Sequence, residues 1–127
     1  MTDAHPLDQS TRLGDRTWPT VGGGVLLVPL GSTEQHGPHL PLRTDTMIAE
    51  AVALELGERL RATGTDATVA PALPYGASGE HEGFAGTLSI GTRALAQVLV
   101  ELGRSAGLWC ERVAFVNAHG GNVDALR

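Results

Sequence analysis

Apolar and polar positions fall into blocks along this chain. Val25 to Leu30 (VLLVPL) is continuously apolar, the pattern of a strand buried on both faces of a parallel sheet. After a polar loop, Ile48, Val52, Leu56 and Leu60 recur at every fourth position. Met47, Ala51 and Leu54 lie alongside this stripe, and Glu50, Glu55, Glu58 and Arg59 lie off it. That spacing predicts an amphipathic helix with the stripe facing the core, started by Thr44 or Asp45 and stopped by Gly64. Thr68 to Leu73 reads as a second strand, with Pro71 arguing for an edge position or a bulge. A second helix opens at Thr92 and carries Leu95, Val98, Leu99 and Leu102, and Arg112 to Asn117 (RVAFVN) is a third strand. The order strand, helix, strand, helix, strand predicts an α/β fold with a parallel sheet and right-handed crossovers.

Residues 1–20 are polar and read as an N-terminal arm, mobile or draped on the surface, pinned where Trp18 and Pro19 can pack, with His5 in solvent. Residues 21–127 carry the domain. Gly22, Gly23 and Gly24 precede a strand, whereas a phosphate-cradling loop follows one and opens a helix, so they read as a turn. The sequence stops about one turn after Val123. Three strands and two helices cannot cover both faces of a parallel sheet, so the expectation is the N-terminal part of a larger domain.

Composition narrows the function. At 127 residues and 42% hydrophobic, the chain suits one domain with a core. Its net charge is -5 and its nine Lys and Arg are scattered, which argues against a nucleic-acid partner. No apolar run reaches the roughly 18 to 20 residues that span a bilayer, and Met1 to Ser10 lack the apolar core of a signal peptide. No membrane partner is expected, and the cytoplasm is the default compartment. Cys110 excludes an internal disulfide and reads as a small buried hydrophobe.

All three polar clusters follow a predicted strand directly. Ligands bind at the carboxyl ends of strands in open α/β sheets, so sequence separation becomes proximity there. The first cluster, GSTEQHGPHLPLRTD, holds Glu34, His36, His39 and Asp45; the second, PYGASGEHEGFAGT, holds Ser78 and His81; the third, AHGGN, holds His119, Gly120 and Gly121. Carboxylates and imidazoles suit divalent cations, and a carboxylate can bridge two of them. Glu34 and His36, one residue apart, leave an extended backbone on the same side. The other reading of the same residues is a solvated loop with a capping aspartate. Ser78 and His81 read either as substrate pocket or as plain loop. Gly120 and Gly121, with Asn122, let backbone N–H groups approach a substrate oxyanion or order a helix start. His39 reads as a surface or supporting residue, and Arg43 as a solvated arginine at a helix start. A Rossmann-like nucleotide module ranks low, because the first strand-to-helix turn lacks GxGxxG.

The stretches PLGSTEQHGPHLPLRTD, YGASGEHEGFAGT and FVNAHGGN, in that order, resemble the creatininase (creatinine amidohydrolase) family. The middle block and LGRSAG are most similar to the family branch of peptidases that act in mycofactocin maturation. The resemblance implies a three-layer α/β/α domain, a homo-hexamer, and two divalent ions, zinc with manganese or iron as the other options. Glu34 and His119 would serve one metal, His36 the other, and Asp45 would bridge. The implied reaction is hydrolysis of an amide C–N bond by metal-activated water, on a modified precursor peptide or a small amide. In creatininase proper a glutamate stands two residues after the histidine, where this chain has Gly121. Members with HGGN take that glutamate, and a proton-shuttling histidine, from much later in the chain, so the general acid/base is expected beyond Arg127. A catalytically incomplete fragment or assembly subunit of the same fold is the alternative. Ala118 replaces a usual glycine, a change that matters only if the position needs positive φ.

Overall fold

The structure, a computed structural model, describes residues 9–127; His5 and the start of the arm lie outside them. Its sheet has three parallel strands, β1 (Val25–Leu30), β2 (Ala67–Val69) and β3 (Arg112–Asn117), in the order β2-β1-β3. Two long helices connect them, α1 (Thr44–Ala62) and α2 (Gly91–Ala106), and a short α3 (Val123–Leu126) ends the chain.

The central position of β1 explains its unbroken apolar sequence. Leu26, Val28 and Leu30 turn to one face, where Ala106, Leu95 and Leu99 of α2 pack, and Leu27 turns to the other, against Ala53 of α1 and Val69. The sheet is thus the middle of three layers. Pro29 lacks an N–H, yet its carbonyl accepts from Leu73 N, past the end of β2, and the ladder with β3 continues unbroken. The second strand is shorter than expected: β2 ends at Val69, Pro71 lies after it, and Leu73 returns for one bridge to Leu30.

The face that α1 buries is only partly the predicted one: Leu54 and Leu60 pack against the Leu27, Ala53 and Val69 cluster, but the rest of the apolar stripe does not. Ile48 is 50% exposed, Val52 51% and Leu56 39%, whereas Asp45, Ala49, Ala53 and Gly57 are buried. Small residues on that line let the helix lie close to the sheet. A Cβ at Gly57 would come within 2.9 Å of Thr11 Cγ2 and 3.1 Å of Val69 Cγ2. In α2, Leu95 and Leu99 are buried as expected, but Leu102 is exposed, and the helix starts one residue early, at Gly91. Gly64, at φ +89°, ends α1 in the left-handed region.

The arm is docked where it is described. Arg61 donates to the carbonyls of Gln9 and Ser10, Thr11 O accepts from Val69 N on the outer edge of β2, and Arg12 pairs with Glu50 at 2.6 Å. Trp18, expected to pin the arm, is instead 87% exposed. Among the described residues no helix is long and apolar enough to cross a membrane.

Candidate metal centre

The loops after β1, β2 and β3 meet at the carboxyl edge of the sheet, and a buried asparagine ties them together. Asn122, fully buried, accepts from Ala77 N at 2.9 Å and donates to Gly31 O and Asn117 Oδ1. The first two loops are also joined directly, by Leu88 N to Thr33 O and Thr33 Oγ1 to Pro74 O. Asp45 sits on the buried line of α1, so the helix aims its carboxylate into this junction. It makes no cap bond; Thr44 Oγ1 donates to Pro41 O instead.

Glu34, Asp45 and His119 are all buried, and each offers a ligand atom within 4.8 Å of the others. Asp45 Oδ2 lies 2.9 Å from His119 Nδ1 and accepts from Ser32 Oγ at 2.7 Å, while Asp45 Oδ1 lies 2.8 Å from His36 Nε2. Glu34 Oε1 is 3.3 Å from His119 Nδ1, and Glu34 Oε2 is buried without a hydrogen-bond partner. The two oxygens of one carboxylate therefore address two histidines on opposite sides. Three of the four residues gather on the Oδ2 side.

The histidines carry a further message. His119 Nε2 lies 2.9 Å from Ala77 O, and His36 Nδ1 lies 3.2 Å from Glu34 O. A carbonyl can only accept, so these nitrogens carry the hydrogens. The other nitrogen of each neutral ring then turns a lone pair toward Asp45, lone pair against lone pair. A cation between them satisfies both, and a ring N–H pinned by a backbone carbonyl is the usual support of a metal-ligating histidine. Without a cation, a proton does the same work. For His36, burial lowers the pKa, but the Glu34 carbonyl, the Asp45 hydrogen bond and the charges of Asp45 and Glu34 outweigh it and raise the value above the usual imidazole range. The orphaned Glu34 oxygen points the same way, since a buried carboxylate without a partner is costly. This donor set fits a divalent cation.

The cluster forms the floor of a cleft of about 780 Å³ with an acidic rim that includes Glu80, Glu82 and Asp124. His81 stands on its wall with Nε2 at 3.8 Å from Glu34 Oε1, whereas Ser78 is buried behind the floor, with Oγ 3.4 Å from His119 Nε2. Gly120 and Gly121 line the cleft in a 3₁₀ turn. His39 and Arg43 are exposed and lie outside it. Ala118 carries no strain, since no non-glycine residue described has positive φ. Gly121 has no room for a side chain: a Cβ there would press on Ala77 O and come within 2.6 Å of His119 Nε2. Ser32 and Gln35, both in the first polar cluster, were not among the expected site residues, and Asn122, expected only to order the turn after β3, ties three loops through its side chain.

Comparison with known proteins identifies the family. The creatininase profile, described as creatinine amidohydrolase, matches residues 15–127. The chain belongs to the creatininase family. It is 65% identical over 103 residues to a mycofactocin precursor peptide peptidase of Mycolicibacterium smegmatis, covering 80% of this chain and 42% of the relative. A crystal structure of creatinine amidohydrolase superposes with a TM-score of 0.78 at 28% identity, covering 93% of this chain and 50% of that one. A variant creatininase described as of the Zn-Zn type gives the same TM-score at 26% identity, with the same shares covered. The chain thus spans less than half the length of the curated creatininase-family relative, and about half of the solved chains.

Proposed function

We propose that this chain carries the metal-binding half of an amidohydrolase that cleaves a C–N bond in a peptide substrate, the modified precursor peptide of the mycofactocin system. The observation that carries the reading is the pair of histidines turned on the two oxygens of Asp45, each with its other nitrogen donating to a backbone carbonyl. Glu34, Asp45 and His119 would hold one divalent ion, zinc first, and Asp45 and His36 would hold a second. Bound there, such ions polarise a carbonyl and supply a nucleophilic water at neutral pH. The chain's own residues do the rest. Ser32 and the helix fix the Asp45 carboxylate, the Glu34 and Ala77 carbonyls fix the imidazoles, Gly121 lets the turn pack on the Ala77 carbonyl, and Gly120 leaves space for an extended peptide. Assembly of copies into a hexamer belongs to the same reading.

A second reading has its own support. On the Oδ1 side of Asp45, His36 is its one imidazole partner among the described residues, and Gly121 leaves no space for another ligand at that position. On that reading the chain binds metal but does not hydrolyse. The test is to load the purified chain with zinc, count the metal, and follow the precursor peptide by mass spectrometry. Two ions per chain with release of a C-terminal fragment support the first reading. One ion and an intact peptide support the second, and no metal at all overturns both.

A further inference from the structure

His81 is held in a way that the metal cluster does not explain. Its Nδ1 lies 3.1 Å from Gln35 Nε2, and the other end of that amide, Gln35 Oε1, accepts from Gly37 N at 2.8 Å. The backbone N–H of Gly37 can only donate, so the amide oxygen must face it and the amide nitrogen must face His81. An amide nitrogen can only donate in turn, so His81 Nδ1 is an acceptor without hydrogen. In the neutral ring the hydrogen is therefore on Nε2.

That nitrogen faces the cleft. Its nearest carboxylate oxygen, Glu34 Oε1, is 3.8 Å away, beyond hydrogen-bond reach, and among the described residues no hydrogen bond reaches it. The rest of the residue is fixed from behind. His81 N donates to Ser78 O, His81 O accepts from Thr87 Oγ1 at 2.8 Å, and the ring leans on Phe84 with centroids 6.0 Å apart. A preset donor beside a metal-binding carboxylate, with space in front of it, suits an incoming ligand oxygen.

We propose that Gln35 locks His81 as the Nε2–H tautomer, so that His81 donates a hydrogen bond to a substrate oxygen bound beside Glu34. Gln35 is then a positioning residue for that donor, and His81 is not a metal ligand. The part concerning substrate rests on the hydrolase reading above; the part concerning the tautomer does not.

The test uses the whole chain, zinc-loaded, with ¹⁵N-labelled histidine, at a pH where imidazole is neutral. Long-range ¹H–¹⁵N correlation reports which ring nitrogen of His81 carries hydrogen, and His81→Ala identifies the signal. Nε2–H is expected in the parent chain. In Gln35→Glu the new carboxylate accepts where the amide donated, so hydrogen should appear on Nδ1. An Nδ1–H parent, or a Gln35→Glu chain still bare at Nδ1, overturns the lock. Zinc content should be unchanged in both variants, and loss of zinc from His81→Ala would make His81 a ligand and overturn the donor role. If the parent hydrolyses peptide, both variants should lose roughly 10²-fold or more in kcat, the scale of one lost oxyanion donor; unchanged kcat overturns the substrate contact. If the parent hydrolyses nothing, the hydrolase reading falls, and the tautomer result alone decides the lock.

Discussion

Asp45 is the residue on which the cluster depends, because its two oxygens face two imidazoles and Ser32 holds one of them. Replacing Asp45 by Ala should empty the whole centre, while replacing His36 by Ala should empty one side only; atomic absorption on the dialysed variants separates these outcomes. Retention of both ions by the Asp45→Ala chain would sink the bridging role. Ser32→Ala removes a hydroxyl that does not itself ligate. It should weaken zinc binding by roughly 10- to 100-fold, the usual cost of losing a ligand's hydrogen-bond partner, as read by competition with a chelating dye. The sequence pointed to Glu34, His36, Asp45 and His119 as candidates because each lies in a polar cluster after a strand end, and the fold gathers them, although the residues alone left a solvated loop as the other reading. Ser32 was not among them, and Asn122 was read only for its place in the AHGGN turn. Serine and asparagine in a turn satisfy local backbone in most proteins, and only the folded contacts show Asn122 joining three loops.

The elements were legible in order and type, and less so in facing. The fourfold spacing of Ile48, Val52 and Leu56 is real, but a neighbouring line of the same helix, Ala49, Ala53 and Gly57, meets the sheet. Hydropathy favours the larger side chains, whereas close approach favours the smaller ones. That difference is measurable. Ala53, fully buried against Leu27 and Val69, should cost roughly 1 to 3 kcal/mol when enlarged to Leu. Val52→Ala should change the stability of this chain by no more than about 0.5 kcal/mol, as at other exposed sites. Urea unfolding of both variants checks the facing, and a larger loss at Val52 would reverse it. Position 121 makes the same point about space. Gly121→Glu should not add a metal ligand, because its Cβ would displace the Ala77 carbonyl that orients His119. The expected result is weaker zinc binding than in the parent chain, and zinc held as tightly or in greater number would contradict it.

At the scale of the molecule, the site and the fold share one free energy. The four clustered residues hang on the ends of β1 and β3 and on α1, so metal binding to the folded state should stabilise the chain by about 2.7 kcal/mol at a hundredfold excess of free metal over Kd. Acidity should act in opposite directions with and without metal. In the metal-free chain, the raised pKa of His36 means that its imidazolium, held by Asp45 and Glu34, contributes stability in full below the unfolded value near 6.5. This contribution is lost as pH rises through the higher folded value. With zinc present the same nitrogen must be bare to ligate, so stabilisation by metal should grow over that pH range. Thermal melts from pH 6 upward, in chelator and in zinc, should therefore diverge. His36→Asn should flatten part of the chelator curve. Parallel curves for the parent chain would mean that no cation competes with the proton at Asp45.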